Sequence, residues 1–235
     1  PDPLWSRGLG DVYKRQNIKL LEDDYLLDEV LGLVEFPNVL IGNIDKQFMN
    51  LPKEVLTTAM KVHQKYFSII DDKNNLVPKF LFVSNTIPKK ERDKSIIEGN
   101  ERVLKARLSD ADFFWKTDTS TKIENFNEKL KKVLFYEGLG SLHDKTIRLS
   151  AVSKYFSNLF KVDVTLAREA CILSKFDLVS EMVGEFPELQ GIMGGYYTKL
   201  NGKPNEISNA IFDQYKPKGI SNDMPKTKLG CMLSI

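Results

Sequence analysis

The 235-residue chain is poor in the side chains on which most metal and redox chemistry depends, with two histidines, two cysteines and two tryptophans. Cys171 and Cys231 stand far apart and outside any C-x-x-C pattern. That excludes a thiol-redox motif or a cysteine zinc site and fits a reduced, cytoplasmic protein. No apolar run approaches the roughly 20 residues that span a bilayer, so no membrane partner is expected. The stretch 17–33 is acidic where a secretory signal would be basic. Charge of either sign is also scarce in excess: Lys plus Arg is 34 and Asp plus Glu 32, a net +2. Without a global basic field the chain is not expected to bind DNA, and any RNA contact must use a local patch. What is present in quantity is hydrophobic residues, 42% of the chain. That suffices for a sizeable core in one large or two modest domains.

The first sixteen residues are set aside. Asp11-Val12-Tyr13-Lys14-Arg15-Gln16 is similar to the translation of a transposon adapter used in sequencing libraries, and native sequence is expected to start near Asn17. Without this tail the balance is 31 basic against 30 acidic residues.

The rest reads as an α+β chain in two parts. Residues 17–120 form a mixed α/β module. A short helix is expected near Leu21–Leu33, a strand near Val39–Ile44, a helix opened by Pro52 at its first position, and a strand Phe67–Ile70. The polar turn Asp71–Asn75 leads to a strand Lys79–Ser84. A long helix closes the module, with Ile97, Leu104, Leu108, Ala111 and Trp115 on one face. Residues 121–235 read as all-helical, without strands. One helix carries Ile123, Phe126, Leu130, Val133 and Leu134, and others are expected over Ser141–Leu159, Leu166–Val183, Glu188–Leu200 and Glu206–Gln214.

One run resists helix building: Val183–Gly194, VGEFPELQGIMG, sets three glycines, a proline and a methionine inside a helical region. Each internal glycine costs roughly 1 kcal/mol relative to alanine, so the density needs a reason. A tight corner accounts for Phe186, Pro187, Leu189, Ile192, Met193 and Tyr196. Glu185, Glu188, Gln190 and the pair Gly194-Gly195 also suit a surface that a partner backbone approaches closely. Glu185, Glu188, Gln190 and Gly194 are therefore candidate partner contacts, and both readings stay open.

The same run, with ordered blocks upstream, carries a family resemblance. Those blocks are Val34-Glu35-Phe36-Pro37 with Leu40-Ile41-Gly42, the stretch Leu51–Phe67, Phe82-Val83-Ser84-Asn85, and Gly99–Leu108 running on to Phe114. Together they resemble the β subunit of the bacterial two-subunit glycyl-tRNA synthetase, of which this chain would be an internal fragment. The resemblance implies a first part related to the editing-type domain of phenylalanyl-tRNA synthetase β and a second part like a degenerate HD-type domain. It also implies the partners, the synthetase α subunit and tRNA(Gly), in a heterotetramer that attaches glycine to tRNA at the expense of ATP. ATP and Mg are expected on the α subunit, so no catalytic residue, cofactor site or metal site is assigned here, and the fragment alone is expected to be inactive. The anticodon-binding module of the family lies outside the sequence, which is expected to be truncated at both ends.

The HD-type relation raises a rival, a metal-dependent phosphohydrolase, and the residues argue against it. Such a site needs several histidines with aspartates around one metal. Where the central His-Asp pair would fall, the chain has Phe176-Asp177, and His143-Asp144 stands where the family usually has tyrosine. A standalone RNA-binding module is the other alternative. Lys61 and Lys65, four apart and next to Tyr66, and Arg102 and Arg107 on the long helix are the candidate RNA contacts. Against these, Glu98 with Arg102 and Glu101 with Lys105 have i,i+4 spacing, which would engage part of that charge within the helix. His63 shares an apolar stripe with positions 56, 60 and 67, so a partly buried histidine is expected there.

Overall fold

In a computed structural model of the chain, residues 18–218 and 223–235 are described; the adapter-like stretch 1–16 lies outside them. The chain divides into two compact units between Phe113 and Phe114.

The first unit is built on a four-stranded antiparallel sheet in the order β1-β3-β4-β2, formed by β1 (Ile18–Leu20), β2 (Pro37–Asn43), β3 (Phe67–Asp71) and β4 (Leu76–Asn85). β1 was not legible beforehand. It is three residues long and held by pairing with β3 alone. In α1 (Asp24–Leu31), Asp23 caps the N-terminus by accepting from the Leu26 N–H at 3.0 Å. Leu26 and Val30 of that helix pack on Phe67, Ile69 and Leu81. On the central strands Leu40 pairs with Phe82 and Gly42 with Phe80. Gly42 is required there, because a Cβ would lie 2.4 Å from the Phe80 ring. The turn after β3 is closed by Asp71, whose carboxylate accepts from the backbone of Lys73 and Asn75, each at 2.8 Å.

α2 (Lys53–Gln64) buries Val55, Leu56, Ala59 and Met60. Pro52 is its N-cap, one residue before the position expected. His63 is exposed, contrary to expectation. The helix ends in left-handed Lys65 (φ 55°), and the chain then folds back so that Tyr66, not His63, enters the core. The long helix α3 (Lys90–Ser120) follows, burying Leu104, Leu108 and Ala111 along the expected stripe.

The second unit is helical but not free of strands. α4 (Ile123–Leu130) stops before Val133 and Leu134. A two-stranded hairpin of β5 (Leu134–Tyr136) and β6 (Gly140–Ser141) replaces the helical continuation expected there. Gly138 and Gly140 make the turn with φ of 82° and 80°, which side chains other than glycine rarely adopt. α5 (Leu142–Phe160) opens on a capping box between Ser141 and Asp144. α6 (Val164–Leu173) is shorter than the single helix expected over 166–183. The chain passes instead through a 3-10 turn at Phe176–Val179 into α7 (Glu181–Glu185), which Ser180 caps. A second 3-10 turn at Pro187–Leu189 precedes α8 (Ile192–Leu200), followed by α9 (Asn205–Asp213) and the unanticipated α10 (Lys228–Ser234). The core is aromatic: the rings of Phe126, Phe176 and Tyr197 stand about one another at 5.8–6.5 Å between centroids.

Candidate functional site

The glycine-rich run is organised by one carboxylate. Asp177, in the 3-10 turn after α6, is fully buried, and its Oδ2 accepts from the backbone N–H of Gly191 at 2.6 Å and of Gly194 at 2.9 Å. The aspartate thereby ties down the first turn of α8, where Gly191 takes φ 79°. Gly191, Gly194 and Gly195 each have a packing reason, whereas Gly184 has open space beside it. A Cβ on Gly191 would lie 2.7 Å from the Tyr215 ring. On Gly194 it would lie 2.9 Å from Ile211 Cγ2 and 3.0 Å from the Asp177 carboxyl, and on Gly195 2.4 Å from the Phe212 ring. The close approach that the glycine pair suggested is therefore supplied from within, by α9, and Gly194 is buried rather than presented to a partner. Glu188 is exposed, and Glu185 and Gln190 are half-buried.

Burial pushes the Asp177 carboxyl up to about 6, against the opposing pull of the Gly191 and Gly194 amides. Beside it, burial brings Lys175 down to about 8, helped by the charge of Lys145. Lys175 Nζ donates to Gln214 Oε1 at 2.8 Å and to the Tyr215 hydroxyl at 3.0 Å. Shifted ionisation marks many reactive sites, but here Asp177 Oδ2 and Lys175 are engaged by their own chain, while Asp177 Oδ1 is buried without a hydrogen-bond partner, and the arrangement is a structural tie across α8 and α9. Phe176 is part of the aromatic core, and its neighbour Asp177 faces backbone amides. Among the described residues no group of three or more His, Cys, Asp or Glu side chains is placed to hold a metal ion. None of the described helices is long and apolar enough to cross a membrane.

The four basic residues proposed from sequence stand in different settings. Lys61 forms an ion pair with Asp23 and Lys65 one with Glu29 at 2.8 Å, so both cations tie α2 to α1. Tyr66 offers no stacking face: it is buried on Phe80, donates to Asn100, and burial pushes its phenol up to about 12. The pairing expected between Glu101 and Lys105 is not made. Glu101 accepts from the backbone and side chain of Asn43 at 2.7 and 2.9 Å, and Lys105 meets Asp45 at 3.2 Å. Glu98 pairs with Lys94 at 3.9 Å, while exposed Arg102 borders a groove that also contains Asp45, Glu98 and Glu101. Arg107 is half-buried.

Two features went unnoticed in the sequence. Asp118, near the end of α3, is buried and accepts from the N–H groups of Glu181 and Met182 at 3.0 Å each, capping α7 from outside. The other is the hairpin. Arg148 donates to the Leu139 carbonyl at 2.8 Å and Lys145 stands 4.2 Å from the centre of the Phe135 ring, so the hairpin is fixed against α5. Leu134 and Tyr136, alternate residues of β5, point outward and are exposed. The signal that could have found it is Glu137-Gly138-Leu139-Gly140, a turn sequence following an apolar triplet.

The two units thus define an α+β chain whose most distinctive sequence is internal architecture. A family model described as glycyl-tRNA synthetase beta subunit matches residues 6–235, beginning within the adapter-like stretch 1–16. Similar curated proteins are glycine--tRNA ligase beta subunits. That of Rickettsia bellii is 50% identical over 89% of this chain and 31% of its own length. That of Rickettsia felis is 46% identical over 95% and 33%, and that of Marinobacter nauticus 42% identical over 92% and 31%. The chain belongs to the glycyl-tRNA synthetase β-subunit family. It spans about a third of the length of the curated relatives it matches.

Proposed function

We propose that this chain supports the ATP-dependent glycylation of tRNA(Gly) as part of a β subunit, contributing tRNA binding and assembly with the α subunit in a cytoplasmic heterotetramer. The observation that carries the reading is the family match over residues 6–235. On this reading ATP, Mg and glycine bind on the α subunit, and the present residues supply shape and contact. The packing agrees with that division of labour: Asp118 and Asp177, two of the buried aspartates of the second unit, accept backbone amides of their own chain. The first unit is proposed to correspond to the editing-type module and the second to the degenerate HD-type domain, with Phe176-Asp177 at the position of the metal-binding pair.

The test is aminoacylation. Complete β subunit carrying this sequence, mixed with α subunit, ATP and glycine, is expected to charge a tRNA(Gly) transcript, while the 235-residue chain alone is not. An assembled complex that fails to charge its cognate tRNA would defeat the proposal.

A further inference from the structure

α5 carries apolar and aromatic side chains on its outward side as well as on its inward one, where Leu149 and Phe156 are half-buried. The side turned to the core carries Thr146, Ser153 and Ser157. Their hydroxyls donate to carbonyls three residues back at 2.7–2.9 Å, so burial leaves none of them unsatisfied. The outward side carries Val152, Tyr155 and Leu159, all exposed. Their spacing of three and four keeps them on one stripe, and Arg148, one turn before Val152, joins the stripe to the hairpin through the Leu139 carbonyl. The exposed face therefore runs from the hairpin along the helix, with Tyr136 66% and Tyr155 70% exposed.

The charge around this face decides what suits it. Residues 122–161 contain eight lysines and arginines against four acids, a net +4 in a chain whose total is +2. Glu128 and Lys131 pair at 2.7 Å and cancel, and Asp144 is held by the Ser141 cap at 2.7 Å, so the net +4 stands. A near-neutral chain needs such a local excess of basic residues for RNA, and this one falls in a different unit from Lys61 and Lys65, whose charges face Asp23 and Glu29. A second copy would bring positive charge against positive charge. A polyanion with stackable bases satisfies the cations and the tyrosine faces together.

We propose that the hairpin and the outward face of α5 form an RNA-docking surface, on which bases stack against Tyr136 and Tyr155 while Lys132, Lys145 and Lys154 meet phosphates. The proposal rests on the tRNA-binding reading given above and assigns it a place. Hairpin and helix are fixed to each other, so the platform is preformed and little ordering accompanies binding.

The test is fluorescence anisotropy of a labelled tRNA(Gly) transcript titrated with the 235-residue chain between about 50 and 200 mM salt. Tyr136→Ala and Tyr155→Ala are each expected to weaken binding on the order of tenfold, with Tyr136→Phe close to the parent. Lys132→Ala and Lys154→Ala are each expected to reduce the salt slope by about one. Absence of binding by the parent chain, or parent-like affinity in both tyrosine variants, would overturn the surface, as would variants that bind tRNA normally but no longer co-purify with the α subunit. That last result would make the face a protein dock. Charging of tRNA by the complete α/β complex reports separately on the reading beneath, so the surface can fail while the subunit assignment stands.

Discussion

Tyr197 donates its hydroxyl to Asp118 at 2.8 Å, with both side chains buried in the second unit. The same carboxylate receives the Glu181 and Met182 amides, so the end of α3, the start of α7 and the middle of α8 meet at one group. Burial, reinforced by the negative charge of Asp118, pushes the Tyr197 phenol above its ordinary value, so it stays a donor at any working pH.

The two halves of that bond are unequal. Tyr197→Phe removes one donor and leaves Asp118 two backbone partners, for an expected loss of about 1–2 kcal/mol. Asp118→Ala strands two amides and a buried hydroxyl, for about 3 kcal/mol or more. Urea unfolding at neutral pH should rank the variants in that order. Equal losses would mean that the amides of Glu181 and Met182 find other partners and that the cap is dispensable.

The glycines separate in the same way. In Gly195→Ala the new methyl meets the Phe212 ring at 2.4 Å, and the expected cost is about 1–3 kcal/mol as α9 is pushed away. Gly99, within α3, and Gly184, in α7, have nothing within 4 Å of such a methyl. Gly99→Ala is expected to stabilise by about 1 kcal/mol through helix propensity alone. Thermal melts of Gly99→Ala and Gly195→Ala should therefore move in opposite directions.

These cases show what the sequence could and could not reveal. Apolar runs located β2 and β4 to within a few residues, because a strand covered on both faces, as Phe80, Leu81 and Phe82 are, is apolar at successive positions. The stripe Leu104-Leu108-Ala111 likewise located the buried face of α3. Long-range hydrogen bonds had no local signature: nothing around Asp118 distinguishes it from a solvated helix aspartate until Glu181 and Met182 arrive from more than sixty residues away. The expected helix 166–183 failed for the same reason, since its break at Phe176 serves Asp177's contact with Gly191 and Gly194. Glu101 and Lys105 had ideal helical spacing, yet Asn43 and Asp45 offered firmer partners. The glycine density of VGEFPELQGIMG was legible as unusual. Asp177, Ile211 and Tyr215, which explain Gly191 and Gly194, come from outside it.

Lys61 and Lys65 supply a prediction that tests the choice between basic surfaces. Their ion pairs with Asp23 and Glu29 are about a third exposed, so Lys61→Ala and Lys65→Ala should each cost under about 1 kcal/mol. Because those cations already face carboxylates, the double variant is expected to bind tRNA(Gly) with the affinity and salt slope of the parent. A clear loss of slope in the anisotropy titration would return RNA contact to α2.

The buried pair Asp177 and Lys175 sets a pH dependence of definite sign. Asp177 faces the Gly191 and Gly194 amides with Lys175, Tyr197 and Tyr215 nearby, and its carboxyl rises from 3.8 to about 6. The folded chain then holds that proton more tightly than the unfolded chain. Its contribution to stability is complete below about pH 4 and is lost as pH rises through about 6. Lys175, facing Gln214, Tyr215, Lys145 and Asp177, falls from 10.5 to about 8, so the unfolded chain binds its proton more tightly. Stability from this group rises as pH climbs from about 8 to above 10. Asp177→Asn should accordingly cost most near pH 4, with the gap to the parent narrowing toward pH 6 by about 1.4 kcal/mol per unit of pKa difference at most. Lys175→Met should flatten the alkaline rise. Chemical denaturation across this pH range checks both signs, and a gap for Asp177→Asn that widens with pH would show that the amides of Gly191 and Gly194 outweigh burial and hold the carboxylate ionised.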